Sequence, residues 1–183
     1  NNINAIYEKQ KLNEDDIESV ILKVREKKIQ GINVTVPFKK IVIPFLDQLS
    51  SEAENTQSVN TIYLENNKVF GHNTDISGFE LSIKYLGFNI KNKKVLVLGA
   101  GGVVPSIIFA LNKMQASEIT IANRTKENAE KLKDLFNYIK IVNWGHMPEF
   151  DLIINATSLG LNENDEINLD FSEVGQNKLF YDV

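Results

Sequence analysis

Apolar positions in the first third of the chain fall into two different rhythms. Ile17, Val20, Ile21 and Val24 recur at helical spacing. Asn13 precedes them as an N-cap, and Glu14, Asp15 and Asp16 place acidic groups where the helix dipole favours them. This predicts a helix running to about Lys28 and ended by Gly31. Ile32, Val34 and Val36 then alternate with Asn33 and Thr35, a strand pattern that Pro37 stops. A further strand is predicted around Ile3–Tyr7, and Phe38–Leu49 reads as a helix in two pieces divided at Pro44. Val59–Leu64 and Lys68–Phe70 flank Asn66-Asn67, a pair suited to the left-handed backbone of a tight hairpin. Asp75–Leu86 reads as a helix ending near Gly87.

Beyond the polar Asn89–Lys94 stretch the texture changes. Val95-Leu96-Val97-Leu98 is a continuous apolar run, as expected of a strand buried on both faces. Similar runs at Ile119–Ala122, Ile139–Val142, Leu152–Asn155 and Leu179–Tyr181 alternate with helical patterns. The alternation predicts a doubly wound parallel sheet, hence an α/β fold whose second half is Rossmann-like. The domain boundary is expected near residues 87 to 93, giving a first domain over 1–87 and a second over 88–183.

Composition narrows the chemistry. The 183 residues are 43% hydrophobic and 24% charged, ordinary values for a globular chain of one large domain or two small ones. Zero cysteines exclude a disulfide framework, thiolate metal ligation and a cysteine nucleophile, and suit a reducing cytoplasm. The two histidines, His72 and His146, argue against a multi-histidine metal site, so no metal is expected. A net charge of -4 with scattered lysines lacks the footprint of a nucleic-acid binder. Val95–Leu111 carries no charge, but Gly99, Gly101, Gly102 and Pro105 interrupt it, so it reads as strand, turn and helix rather than a membrane span. The start, Asn1-Asn2-Ile3, shows neither an initiating Met nor a signal-peptide pattern, and the chain is read as an excerpt of a longer one.

Gly99-Ala100-Gly101-Gly102 follows a predicted strand and opens a predicted helix. Glycines there let the backbone turn sharply and approach a pyrophosphate, while the helix N-terminus offers N–H donors. The third fingerprint glycine is absent, since Val103-Val104-Pro105 follows, and such a cluster also occurs in turns that are merely tightly packed. The next predicted strand ends in Asn123-Arg124-Thr125-Lys126, where an NAD site would place an acidic residue for the ribose 2′-hydroxyl. A guanidinium fork there suits a 2′-phosphate, which points to NADP. The alternative is a solvated turn with Thr125 as an N-cap. In the first half, Asn33–Lys39, Val59-Asn60-Thr61 and Gly71–Asp75 set polar groups at strand ends. Taken singly, each reads as a turn cap. A lysine and an aspartate converging on one pocket could hold a polyhydroxylated substrate and move a proton during hydride transfer.

Asn33-Val34-Thr35-Val36-Pro37-Phe38-Lys39, Val59-Asn60-Thr61, Asn73-Thr74-Asp75-Ile76-Ser77-Gly78-Phe79, the glycine loop, Asn123-Arg124-Thr125 and Asn155-Ala156-Thr157-Ser158 occur in this order. Together they resemble the shikimate dehydrogenase family almost from end to end. The resemblance implies NADP-dependent, reversible reduction of 3-dehydroshikimate to shikimate by a monomer or homodimer. It implies that Lys39 is the proton acceptor and donor, that Asp75 is its partner carboxylate, and that Thr35 and Asn60 bind substrate. Gly99, Ala100, Gly101, Gly102 and Val103 match the pyrophosphate segment, and Asn123, Arg124, Thr125, Lys126, Glu127 and Asn128 match the ribose-phosphate segment. Val183 matches a position at the nicotinamide end. Gln57-Ser58 stands where the family has Gly-Ala, and a local backbone change is expected there. The family's N-terminal serine pair would precede Asn1, and its late tyrosine and glutamine would follow Val183. The rivals are a quinate/shikimate dehydrogenase using NAD, against which Asn123-Arg124-Thr125 argues, and a non-catalytic relative that senses a shikimate-like metabolite.

Overall fold

The structure is a computed structural model that describes residues 4–183 apart from 163, 164, 166 and 173. Asn13 begins a single 3-10 turn, Glu14–Asp16, that runs directly into α1 (Ile17–Arg25). Helix α1 buries Ile17, Val20, Ile21 and Val24 on one face, as their spacing dictates. It stops short of Lys28 because Lys27 takes a left-handed conformation with φ 61°.

A four-stranded sheet follows, in the order β1-β3-β4-β2. It consists of β1 (Gly31–Asn33), β2 (Gln48–Leu49), β3 (Thr61–Glu65) and β4 (Lys68–His72). The β3–β4 hairpin turns at Asn66 and Asn67, whose φ values of 50° and 60° match the backbone that a two-residue turn needs. Short helix α2 (Ser51–Thr56) is capped by the Ser50 hydroxyl, which accepts from the Ala53 N–H. Against one face of this sheet lie Ile17, Ile21 and Val24 with Val42, Ala53, Val59, Ile62 and Val69.

Three expectations fail in this half. Ile3 of the Ile3–Tyr7 strand lies outside the described residues, and residues 4–7 form no strand, with Ile6 and Tyr7 exposed. The strand expected over 32–36 ends at Asn33, because the Phe38 N–H bonds to the Thr35 carbonyl and reverses the chain. Phe38–Leu49 forms no α-helix. Turns lead into a single 3-10 turn at Ile43–Phe45, and the segment ends in β2, which pairs parallel with β4. Pro44 lacks the amide donor that a continuous α-helix would need there. Phe38, Ile41, Ile43, Phe45, Leu46 and Leu49 instead pack against the first core.

Helix α3 (Asp75–Tyr85) starts at the edge of this sheet but buries Ile76, Phe79 and Ile83 in the second core. The second sheet is wholly parallel, in the order β7-β6-β5-β8-β9. Its strands are β5 (Lys94–Leu98), β6 (Glu118–Asn123), β7 (Lys140–Asn143), β8 (Leu152–Asn155) and β9 (Leu179–Asp182). Helices α4 (Val104–Lys113) and α5 (Lys126–Leu135) connect β5 to β6 and β6 to β7. They pack with α3 on the face formed by Val95, Val97, Ile121, Leu152 and Ile154. Leu96, Leu98 and Ile153 point to the opposite face, where Trp144, Met147, Phe150, Ile167, Leu169 and Val174 cover them. That cover is irregular chain, so among the described residues helices lie on one face only. No helix is long and apolar enough to cross a membrane among the described residues.

Candidate active site

Three segments meet where β1, β3 and β4 end. After β1 the Val34 N–H bonds to the Asn60 carbonyl at 2.8 Å, so the strand end runs beside the residue preceding β3. The turn at Thr35–Phe38 brings Lys39 back, and its carbonyl accepts from the Val59 N–H at 2.8 Å. From the third side, the Asn60 N–H bonds to the His72 carbonyl, and Asn73-Thr74 lead into Asp75, the first residue of α3.

The side chains complete the convergence. Lys39 Nζ donates to Asp75 Oδ2 at 2.7 Å, and Asn60 Nδ2 donates to Asp75 Oδ1 at 2.8 Å. Asn60 Oδ1 accepts from the Thr74 N–H and the Thr61 hydroxyl, both at 3.0 Å, which fixes the amide's orientation. The side chains of Lys39 and Asp75 keep 15% and 22% of their exposure, so the pair is sheltered yet reachable. Thr35 is exposed on the turn beside them, and its hydroxyl makes no hydrogen bond among the described residues.

The glycine loop joins β5 to α4. Gly99 has φ 108°, and a Cβ there would lie 2.7 Å from the Ala156 carbonyl oxygen, so only glycine fits. Gly101 and Gly102 are exposed, leaving their backbone open to a ligand; Ala100 and Val103 are partly buried beside them. A Cβ on Gly102 would meet Val36 Cγ2 at 3.4 Å. Val36 stands three residues before Lys39, so the loop approaches the turn that carries Lys39. The bare loop at a helix N-terminus fits a pyrophosphate.

Strands β5 and β6 pair in parallel with Leu98 opposite Ala122, which sets their outgoing loops side by side. Asn123 Nδ2 donates to the Thr125 carbonyl at 2.7 Å and shapes the turn at Arg124. Arg124, Glu127 and Asn128 are exposed, and Lys126 is paired only loosely with Glu130 at 3.6 Å. Thr125 occupies the N-cap position of α5, but its hydroxyl makes no capping bond. Val183, 58% exposed, donates its N–H to the Asn155 carbonyl and lies at the end of β8. The expected cofactor residues therefore line one edge of the sheet. A hollow of about 620 Å³ between α5 and β7 adjoins it, lined by Lys126, Lys133, Asn143 and His146, and by none of the residues around Lys39.

The role of Asn73 was not legible in the sequence, whereas a local backbone change was expected at Gln57-Ser58. Asn73 is 1% exposed and accepts from the Asp75 N–H at 3.0 Å, while its amide nitrogen reaches Thr56, Ser58 and Ser106. The sequence showed it only as one of the polar residues at a strand end and as the start of the Asn73–Phe79 motif, with no role of its own. At Gln57 the backbone is left-handed, with φ 49° and ψ 41°, and caps α2. Its Nε2 donates to the Glu54 carbonyl at 2.7 Å. Ser58, which follows, is buried with its hydroxyl unpaired.

Residues 1–62 match the family model of the shikimate dehydrogenase substrate binding domain, and residues 80–167 match that of shikimate/quinate 5-dehydrogenase. The chain is 56% identical over 181 residues to the NADP(+) shikimate dehydrogenase of Pelagibacter ubique, covering 99% of this chain and 68% of that protein. It superposes on the crystal structure of shikimate dehydrogenase from Aquifex aeolicus with a TM-score of 0.83 at 37% identity, covering 93% of this chain and 64% of that one. The Thermus thermophilus shikimate 5-dehydrogenase, solved with NADP(H) and shikimate, gives a TM-score of 0.81 at 31% identity, covering 92% and 63%. The chain thus spans about two thirds of the length of the relatives it matches.

Proposed function

The chain belongs to the shikimate dehydrogenase family, and on that premise we propose that it carries the catalytic core of an NADP-dependent oxidoreductase. The enzyme reduces 3-dehydroshikimate to shikimate reversibly, in the cytoplasm, as a monomer or homodimer. One observation carries this reading: the glycine loop lies against the turn that carries Lys39, with Gly102 beside Val36, while Lys39 is paired with Asp75. In the proposed division residues 1–87 hold the substrate and residues 88–183 the cofactor. Helix α3 connects them, belonging by sequence to the first and by packing to the second.

Lys39 and Asp75 are mostly withdrawn from solvent, where the desolvation cost of an ion pair offsets much of its Coulombic gain, so the pair is weak evidence of a stabilising role. The convergence of Lys39, Asn60 and Asp75 on one point is therefore better explained by chemistry than by folding. In the reduction, Lys39 donates a proton to the substrate carbonyl oxygen as that carbon is reduced; in the oxidation it removes the hydroxyl proton. Asp75 holds the ammonium in place and can accept from a neighbouring substrate hydroxyl, while Asn60 fixes the carboxylate and Thr35 offers its free hydroxyl to the ring.

The backbone of Gly99, Ala100, Gly101, Gly102 and Val103 would hold the pyrophosphate. Arg124, with Asn123, Thr125, Lys126, Glu127 and Asn128, would hold the ribose 2′-phosphate, and Val183 the nicotinamide end. Bound NADPH supplies the hydride. The test is an absorbance assay of the intact protein with NADP and shikimate, which should form NADPH, and with NADPH and 3-dehydroshikimate, which should consume it. No shikimate-dependent signal would overturn the assignment.

A further inference from the structure

Asn73 offers two amide protons to three acceptors. Its Oδ1 takes the Asp75 N–H at 3.0 Å, which settles the orientation of the amide and turns Nδ2 the other way. There Thr56 Oγ1 lies at 3.1 Å, the Ser58 carbonyl at 3.0 Å and Ser106 Oγ at 2.9 Å. Buried polar groups ordinarily find partners, and here the acceptors exceed the protons by one. The two protons are therefore shared among three acceptors.

The three acceptors are not equivalent in position. Thr56 ends α2 and Ser58 lies in the segment that links α2 to β3, both within the first half of the chain. Ser106 lies in the first turn of α4, the helix opened by the glycine loop, and is fully buried. The contact to Ser106 therefore ties the residue that holds Asp75 to the helix that carries the loop. Hydride transfer needs the substrate carbon and the cofactor ring held at near-contact distance, and a misplacement of about 1 Å costs up to roughly a hundredfold in rate.

We propose that Asn73 and Ser106 are positioning residues: their hydrogen bond registers the Lys39–Asp75 pair against the glycine loop. Neither touches substrate or cofactor; both act through Asp75 and α4. This rests on the dehydrogenase reading of the cleft. The surplus acceptor makes the registration contact separable from the stability of the fold. Without the Ser106 hydroxyl, Thr56 Oγ1 and the Ser58 carbonyl remain as two acceptors within 3.1 Å of Nδ2; without the Thr56 hydroxyl, the Ser58 carbonyl and Ser106 Oγ remain.

The experiment compares the intact protein with its Ser106→Ala and Thr56→Val variants by steady-state kinetics and thermal unfolding. Ser106→Ala should lower kcat about tenfold, with KM for shikimate and for NADP within about twofold. Its Tm should stay within about 2 °C of the parent. Thr56→Val should keep kcat within about twofold of the parent. Carbinol-deuterated shikimate should show a larger isotope effect on kcat in Ser106→Ala than in the parent, as the chemical step becomes slower. An unchanged kcat in Ser106→Ala, or equal losses in both variants, would overturn the proposal. So would a Ser106→Ala protein that is grossly destabilised. A parent protein without shikimate-dependent NADP reduction would instead overturn the functional reading, and the proposal with it.

Discussion

Lys39 Nζ meets Asp75 Oδ2 at 2.7 Å across 36 positions of the sequence, while the other oxygen of the same carboxylate is taken by Asn60. With both oxygens engaged, Asp75 cannot swing, and Lys39 is presented to the cleft from one direction. Lys39→Ala in the intact protein should lower kcat by roughly 10²–10⁴, the usual worth of a positioned proton donor. KM for shikimate should change far less. Steady-state kinetics at saturating NADP measure both, and a near-parental kcat would remove Lys39 from the proton-transfer role.

Arg124 projects from the end of β6 with no ion-pair partner among the described residues. If it grips a 2′-phosphate, Arg124→Ala should weaken NADP binding by about 1.5–3 kcal/mol, the range for charged hydrogen bonds. Binding of NAD, which lacks that phosphate, should barely move. Fluorescence titrations with the two dinucleotides separate the outcomes, and equal losses would mean that Arg124 supports the fold instead.

Gln57 and Ser58 form a local weak point. The left-handed backbone at Gln57 costs a side-chain-bearing residue about 1–2 kcal/mol, offset in part by its bond to the Glu54 carbonyl. The buried Ser58 hydroxyl has no partner among the described residues. Ser58→Ala should raise stability by about 1 kcal/mol, since an unpaired buried hydroxyl is replaced by a methyl. Gln57→Gly should change stability by less than about 1 kcal/mol, strain relief being countered by greater freedom in the unfolded chain. Urea denaturation would read both, and a clear loss on Ser58→Ala would show that the hydroxyl is satisfied after all.

Asp151 clamps the start of the parallel sheet. Its carboxylate accepts from the Lys94 N–H at 2.9 Å, with Lys93 and Lys178 nearby at 3.6 and 4.0 Å. The backbone hydrogen bond first, then the two lysines, hold its carboxyl below the ordinary value despite some desolvation. A carboxyl that is more acidic when folded favours the folded state while ionised. That contribution is full above the unfolded pKa near ~3.9 and is lost as pH falls through the folded value. Asp151→Asn should therefore lower Tm at neutral pH, by an amount equivalent to about 1 kcal/mol given the solvent screening of a partly exposed group. The gap should close on acidification below pH ~4, and a gap independent of pH would assign the effect to packing.

The parallel strands were readable because burial on both faces demands unbroken apolar runs, and Val95–Leu98 is such a run. The hairpin was readable because Asn66-Asn67 tolerates a backbone that few residues do. Phe38–Leu49 misled because its apolar spacing allows a helix, and only the partner strand β4 decides that Gln48 and Leu49 pair as strand instead. The irregular cover over Leu96 and Leu98 was equally invisible, since Trp144 and Ile167 reach it through tertiary packing rather than any local period. In the site, Lys39, Asn60 and Asp75 announced themselves as charged or polar groups at strand ends. Asn73 stood among them too, but its bridging role did not show, because it depends on complete burial among groups 15 to 33 positions away.

Strand β5 lies between β6 and β8, but the chain visits β6 and β7 before it reaches β8. Lys94 and Asp151, which open β5 and β8, are 57 residues apart. During synthesis the β5–α4–β6–α5–β7 unit is therefore complete while the other edge of β5 still has no partner. That edge belongs to Val95–Leu98, an apolar segment of high β-propensity, the kind of exposed template that recruits another copy of itself. Pairing across so long a separation is also slow. The strand at the centre of the finished sheet is thus the part of the nascent chain most open to aggregation, and yields of refolded protein should fall as its concentration rises.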